Sequence, residues 1–345
     1  MFKLFEKKQK EYLGLDIGDS VIKVVELEKD KERYTLKNYA WVPIQEYLQE
    51  IKSDSNPSSD KALADITKSL IEVGGFKKKP IAISVPVYSM FSTVIEMPIM
   101  SSKEIDSAIP FEAKKHIPVP IQDVVLDWSI IGKTTDKEEN QLNQILLVAV
   151  LKEAIRKYDR VVQVAGLTIG SLEAETFSLA RSLIGNDKTP IMIIDVGSKA
   201  SNISIVDNGI MQLTRNLAVN GQSISQKIAK ELNISIEEAE QKKKDKNSWP
   251  EIKNIVNQVF EEIIQEGVRL SGEYQKKTKR KLEKCILSGG SVNFPDLVDL
   301  FNAKMPMDTS LGNPFARVAY PKELAPIIKE AGPSLAVAVG LAMKS

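Results

Sequence analysis

A repeat constrains this chain more than any other feature. Leu15-Asp16-Ile17-Gly18 closes one β-rich run and opens another, and about 180 residues later Ile194-Asp195-Val196-Gly197 does the same. A strand, an Asp-x-Gly turn and a second strand, once per half, predict two related halves with a cleft between them. Helical patterns alternate with these strands, which places the chain in the α/β class. A length of 345 residues suits about two domains, each with a sizeable core.

Composition removes several classes of function. With 47 Lys+Arg against 46 Asp+Glu, the net charge of +1 gives no bulk attraction to nucleic acid or acidic lipid. One Cys excludes an intramolecular disulfide, and one Cys with one His excludes a Cys/His zinc site. A Ser-His or Cys-His enzyme would have to use His116, whose place before Ile117-Pro118 reads as a helix end. The longest apolar runs fall far short of the ~18 residues that span a bilayer. Phe2, Leu4 and Phe5 are interrupted by charges and form no signal-peptide core, so the expectation is a cytoplasmic protein with a solvated N-terminal arm.

Along the chain, Tyr12 to Leu27 predicts a hairpin around Gly-Asp-Ser, followed by a strand to Val42 and a polar loop from Lys52 to Asp60. Leu63, Ile66, Leu70 and Val73 recur at helical spacing until Gly74-Gly75. From about residue 87 to 165 an α+β unit is inserted. Its helix, Ser101 to His116, opens on a capping-box spacing, and Pro110 within it predicts a kink or an early end. Thr134 to Asn140 is a polar loop between two strands, and a helix runs from Lys152 to Ala165. In the second half, Ile252 to Val268 continues a long amphipathic helix, and Cys285 to Leu287 is a strand whose thiol reads as a small buried hydrophobe. Pro295 to Ala303 and Pro333 to Met343 are helices. The basic run Lys276 to Lys284 lacks aromatic residues for base stacking and reads as a solvated helix end.

Nucleotide polyphosphate chemistry needs backbone N–H donors, a cation and little crowding. Gly18 permits a tight turn, Asp16 at a strand end suits a hydrated Mg²⁺, Ser20 offers a hydroxyl and Lys23 a point charge for a phosphate. Asp195, Gly197, Ser198 and Lys199 repeat that set. Taken singly, an Asp-x-Gly turn is ordinary hairpin chemistry. A third element changes the balance: Gly289-Gly290-Ser291, between a strand and a helix, lets backbone approach a flat group such as adenosine.

In this order the motifs resemble the actin/heat-shock-70/sugar-kinase superfamily and, more closely, the PilM family of type IV pilus assembly. The resemblance is carried by Leu13 to Leu27, Glu112 to Gly132 (EAKKHIPVPIQDVVLDWSIIG), Ala165 to Arg181, Ile194 to Gly209, Gly312 to Phe315 and Ser334 to Met343. It implies a duplicated actin-like, ribonuclease-H-like ATPase fold of two lobes, with an inserted α+β subdomain and a helical insertion in the second lobe. The implied divisions are 1–86 and 169–188 for the first lobe and 87–168 for its insertion. The second lobe takes 189–220 and 281–330, with its insertion at 221–280, and 331–345 is a helix returning to the first lobe. By the same resemblance ATP and Mg²⁺ are the cofactors, held by Asp16 and Asp195 through water. Glu240 and Lys243 fall at ribose and adenine, although their spacing alone is also that of a solvated i,i+3 ion pair. Glu175 falls where relatives position the attacking water, although a carboxylate at a helix start also complements the helix dipole. The resemblance leaves room for a weak ATPase activity. The implied partner is the cytoplasmic N-terminal tail of PilN, with pilus ATPases and other inner-membrane components as further candidates. No nucleic acid is expected, and membrane association only through partners. Asp19 departs from the family pattern of Ser or Thr in the phosphate turn, and Lys199-Ala200 replaces a Gly-rich run. Two alternatives share the superfamily: a cell-division filament protein like FtsA, and a small-molecule kinase. The chain shows neither an amphipathic helix after the last predicted one nor a substrate-positioning base.

Overall fold

The structure, a computed structural model, describes residues 13–31, 33–51, 56, 59–77, 80–135 and 138–344. The Phe2/Leu4/Phe5 arm, much of the 52–60 loop and part of the 134–140 loop lie outside them. The chain divides into two compact units, one reaching to Ser178 and resuming at Val337, the other spanning Leu179–Ala336.

The first unit is built on β1 (Leu13–Ile17), β2 (Val21–Asp30), β3 (Arg33–Pro43), β4 (Ile81–Val85) and a later strand, Ile169–Ala174. β1 and β4 are buried along their whole length, which is what near-continuous apolar strands do when both sheet faces are covered. A short helix that the sequence did not announce, α1 (Ile44–Glu50), follows β3, and α2 (Asp60–Val73) precedes β4. Ser59 caps α2 by accepting the Ala62 N–H at 3.2 Å. Its buried stripe is Leu63, Ile66, Leu70 and Ile71, whereas Val73, expected on that face, is 85% exposed beside the helix end.

The inserted segment is β5 (Met90–Pro98), α3 (Ser102–Ala113), β6 (Val124–Thr135), β7 (Gln141–Leu151) and α4 (Lys152–Val164), with the antiparallel order β5-β7-β6. Its small core joins Ile95, Met97, Ile105, Ile109, Ile145 and Leu147. The capping box at Ser101 forms, the Glu104 carboxylate accepting the Ser101 N–H at 2.7 Å. α3 runs through Pro110 and ends at Ala113, short of the His116 read from the sequence. One ladder bond is lost at the proline, while Ile105, Ile109 and Ala113 stay buried on either side of it. The segment returns through β8 (Ile169–Ala174), so the core order is β3-β2-β1-β4-β8, with β1, β4 and β8 parallel. α5 (Glu175–Leu183) then carries the chain into the second unit.

There β9 (Ile191–Val196), β10 (Ser201–Asp207) and β11 (Ile210–Leu217) are followed by three helices, α6 (Gly221–Leu232), α7 (Ile236–Lys244) and α8 (Trp249–Thr278). β12 (Lys284–Ser288), α9 (Leu297–Lys304) and β13 (Asp308–Leu311) complete the sheet β11-β10-β9-β12-β13. The repeat read from sequence is therefore a repeat of topology: both sheets have two antiparallel hairpins on one side and two parallel strands on the other.

α10 (Ala325–Ala342) starts well before Pro333, where the sequence suggested its beginning; the proline again removes only one ladder bond. By length and composition the stretch Lys322–Ala342 is apolar enough to cross a membrane, yet Leu335, Ala336, Ala338, Val339 and Leu341 are buried in the folded chain. Its C-terminal part lies against β1 so closely that a Cβ on Gly14 would overlap the Ala338 carbonyl oxygen and stand 2.6 Å from the Ala342 amide nitrogen.

One pH dependence follows from the second unit. The Asp187 carboxylate accepts from Lys284 Nζ at 2.8 Å and from the Thr189 N–H at 2.9 Å, which hold its pKa down at about 2. A depressed carboxylate stabilises the fold above its unfolded pKa, and that contribution is lost as pH falls toward 2. Asp187→Asn should therefore melt below the parent at pH 7, with the gap closing between pH 4 and pH 2 in thermal melts followed by circular dichroism.

Candidate functional site

In the first unit the three parallel strands β1, β4 and β8 end at one edge of the sheet, where open α/β sheets commonly bind ligands. There Asp16, 4% exposed, stands across from Lys23 in register, and the Lys23 ammonium lies 3.0 Å from Asp16 Oδ2. Ser84 Oγ on β4 donates to Asp16 Oδ1 at 3.4 Å. The structure thus places Lys23 on Asp16, where the sequence reading had it reaching a phosphate. Glu175 opens α5 at the same edge. Desolvation is the main cause of the raised pKa values of Tyr158 and Tyr88; Asp16, Asp19 and Glu175 add to it at Tyr158, and Asp19 and Glu175 at Tyr88, which sets the three carboxylates in one neighbourhood. A buried carboxylate that the sequence did not single out, Glu173, accepts from Ser178 Oγ at 2.8 Å and pairs with Lys344 at 2.9 Å. Its signal was a charged residue within the apolar run that ends β8.

The second unit repeats this geometry with different charge. Asp195 on β9 is flanked in register by Asn202 on β10 and Ser288 on β12, which correspond to Lys23 and Ser84. Both Asp-x-Gly turns close identically: the Gly18 N–H donates to the Val21 carbonyl at 3.1 Å, and the Gly197 N–H to the Ala200 carbonyl at 3.0 Å. The glycine amides are committed to closing the turn, which leaves Asp19 and Ser20, and Ser198 and Lys199, at the tips. The second turn is also braced by α6, whose Gly221 and Gln222 N–H groups donate to the Gly197 and Ser198 carbonyls, both at 2.9 Å. Asn220, the N-cap of α6, donates to the Lys199 carbonyl at 2.7 Å.

The groups expected at the nucleoside are physically joined. Ser225 donates to the Glu240 carboxylate, and Lys243 Nζ reaches Glu240 at 2.9 Å, Ser225 Oγ at 2.7 Å and the Gly221 carbonyl at 2.9 Å. Lys243 and Glu240 form the i,i+3 ion pair read from their spacing, with the Lys243 side chain 13% and the Glu240 side chain 39% exposed. Burial pulls the Lys243 pKa below that of an ordinary lysine although Glu240 opposes this. Burial would raise Glu240, but the bonds from Ser225 and Lys243 outweigh it and hold the carboxyl low. Gly221 links this cluster to the glycine loop: a Cβ there would lie 2.5 Å from Ser291 Oγ. Gly221 and Ser225 were missed in the sequence, where the Asn220-x-x-Ser223 capping spacing before an apolar stripe was the available sign.

The loop Ser288–Ser291 is fixed at both ends. Ser288 Oγ and the Gly289 N–H both donate to the Pro333 carbonyl at 3.0 Å, and the Ser291 N–H donates to the Val196 carbonyl at 3.1 Å. Gly289 has φ of +98°, and a Cβ on it would lie 2.7 Å from the Val196 amide nitrogen. Gly290 instead faces open space. That open backbone beside a polar, part-buried Glu–Lys–Ser cluster suits a nucleoside. For the divalent ion, no group of three or more His, Cys, Asp or Glu among the described residues forms a cage. Single hard carboxylates, one per turn, suit a Mg²⁺ that keeps most of its waters.

The sequence matches the family described as type IV pilus assembly protein PilM over residues 14–345. The chain belongs to the PilM family. It is a type IV pilus assembly protein with the actin-like ATPase fold. Among solved structures it is similar to a PilM–PilN type IV pilus biogenesis complex, at 24% identity and a TM-score of 0.82, covering 97% of this chain and 98% of that one. It is also similar to the ethanolamine utilization protein EutJ from Carboxydothermus hydrogenoformans, at 17% identity and a TM-score of 0.58, covering 99% and 93%. MreB5 of Spiroplasma citri bound to AMPPNP follows at 12% identity and a TM-score of 0.53, covering 97% and 95%. These likenesses support the shared fold, and the family match carries the assignment to pilus assembly.

Proposed function

We propose that this PilM-family protein is an ATP-binding scaffold of the pilus inner-membrane assembly complex that holds the cytoplasmic N-terminal tail of PilN. The observation that carries the reading is an equivalent Asp-x-Gly turn in each unit, together with the part-buried Glu240–Lys243–Ser225 cluster beside the glycine loop of the second unit. The turn residues Asp19, Ser20, Ser198 and Lys199 handle phosphate, with Asp16 and Asp195 as the carboxylates for a hydrated Mg²⁺. Gly289, Gly290, Ser291, Glu240 and Lys243 take the nucleoside. Glu175, at the acid edge of the first unit, is the carboxylate placed to orient a water if ATP is turned over. Lys23 neutralises Asp16 in this arrangement and reaches phosphate only by leaving it.

PilN enters because a PilM–PilN complex is among the similar structures, and the inserted β5-β7-β6 unit is the surface we assign to it. The protein then works in the cytoplasm and is held at the inner membrane through that partner. The test is retention of the chain on an immobilised PilN tail peptide, with and without ATP and Mg²⁺. Retention in at least one condition, altered by nucleotide, is the expected result; no retention in either rejects the partner. Heat-denaturing the purified protein and identifying any released nucleotide by chromatography tests the cofactor separately.

A further inference from the structure

The end of α10 is fastened to the first unit by backbone packing and by a buried charge pair. A Cβ on Gly340 would overlap the Ser178 carbonyl oxygen, and the Tyr34 hydroxyl donates to the Met343 carbonyl at 3.1 Å. Two residues beyond α10, Lys344 Nζ pairs with Glu173 Oε2 at 2.9 Å. These side chains are 15% and 4% exposed, so solvent scarcely screens the pair. The other carboxylate oxygen of Glu173 accepts from Ser178 Oγ at 2.8 Å. Glu173 lies on β8 and Ser178 on α5, so this bond closes the strand-to-helix junction, and Glu175 sits inside the closed loop. Glu173 also belongs to a polar row. The register sets Ser84 on β4 beside Glu173, and the pairing of β1 with β4, carried one residue on, sets Asp16 beside Ser84. All three are buried, and Ser84 donates to Asp16. Glu173 is thus joined to the strand edge on one side and to the end of α10 on the other.

We propose that Lys344 is a positioning residue of the nucleotide edge: by holding Glu173 it fixes the β8–α5 junction around Glu175, so that nucleotide at the edge and docking of the α10 end support each other. The inference rests on the nucleotide reading of that edge and adds its regulation. A ligand that orders Glu175 orders the loop closed by Glu173 and Ser178, and the ion pair passes that order to Lys344. Such coupling is reciprocal: the factor by which nucleotide strengthens docking is the factor by which docking strengthens nucleotide binding.

The experiment is amide hydrogen exchange on the full chain with and without ATP and Mg²⁺, together with isothermal titration of ATP in the presence of Mg²⁺. The parent is compared with Lys344→Met, with Lys344→Arg, and with the double variant Glu173→Gln, Lys344→Met. The double variant removes the buried carboxylate along with its lysine, and its glutamine still accepts from Ser178, so the fold keeps its junction. In the parent, ATP should slow exchange in residues 16–22 and, by about fivefold or more, in residues 338–343. Lys344→Met and the double variant should keep the first response, lose the second, and bind ATP more weakly by about the same factor. Lys344→Arg should behave as the parent. A purely structural pair would raise exchange at the α10 end equally with and without ATP, leaving the ratio of the two rates unchanged. That parental ratio in the double variant overturns the inference, as does a parent whose residues 16–22 respond while residues 338–343 do not. A parent that binds no ATP removes the nucleotide reading and this inference together, while the PilN peptide experiment still judges the partner on its own.

Discussion

Gly289→Ala should destabilise the second unit by about 2–5 kcal/mol and lower nucleotide affinity by at least about tenfold. Two terms add. A non-glycine residue held at positive φ costs roughly 1–2 kcal/mol, and forcing an extra carbon into packed surroundings costs roughly 1–3 kcal/mol. The obstacle here is the backbone of Val196, one residue from Gly197, so relief requires the Asp195 turn itself to move. Gly290→Ala is the informative counterpart. Its Cβ meets nothing within 4 Å, so stability should change by no more than about 0.5 kcal/mol. If the open face receives the nucleoside, Gly290→Ala should still weaken ATP binding. Urea denaturation gives the first quantity and isothermal titration with ATP and Mg²⁺ the second. Gly289→Ala with parental stability, or Gly290→Ala with parental affinity, would each contradict the assignment of this loop.

Why some of this was legible in the sequence and some not follows from the range of the interactions. The Asp-x-Gly turns and the strand pairs flanking them are local, and their two copies could be compared with each other without knowing any distant contact. The close backbone approach at the glycine loop was legible because it needs only the two adjacent glycines between a strand and a helix, and Gly289 indeed packs against the Val196 backbone. By contrast, the partners of Lys23 and Lys243 depend on geometry that spacing does not fix. Lys23 lies seven residues after Asp16, and only the hairpin register shows that the two face each other. Lys243 meets Gly221 and Ser225 because α7 folds back on α6, and Glu173 finds Lys344 at the far end of the chain. Pro333 misled for a related reason. Local propensity treats proline as a stop, while tertiary burial of the residues on either side sustains the helix.

The register comparison exposes an asymmetry that makes Lys23 the second position of large effect. In the first unit an ammonium faces the turn aspartate; in the second, the equivalent residue is the neutral Asn202. The Lys23 and Asp16 side chains are 16% and 6% exposed, so solvent does little to screen either charge. Removing one partner of such a pair leaves the other desolvated and costs about 3 kcal/mol or more. Lys23→Met should therefore destabilise the chain by about 3 kcal/mol in urea denaturation at pH 7. The double variant Asp16→Asn with Lys23→Met should recover part of that loss, with an interaction energy of about 1–3 kcal/mol in the cycle. Asn202→Ala, which removes no charge, should cost distinctly less than Lys23→Met. Equal losses at the two positions would mean that the Lys23–Asp16 pair adds nothing beyond packing. A larger loss at Lys23 would mean that the Lys23–Asp16 pair contributes electrostatically beyond its packing.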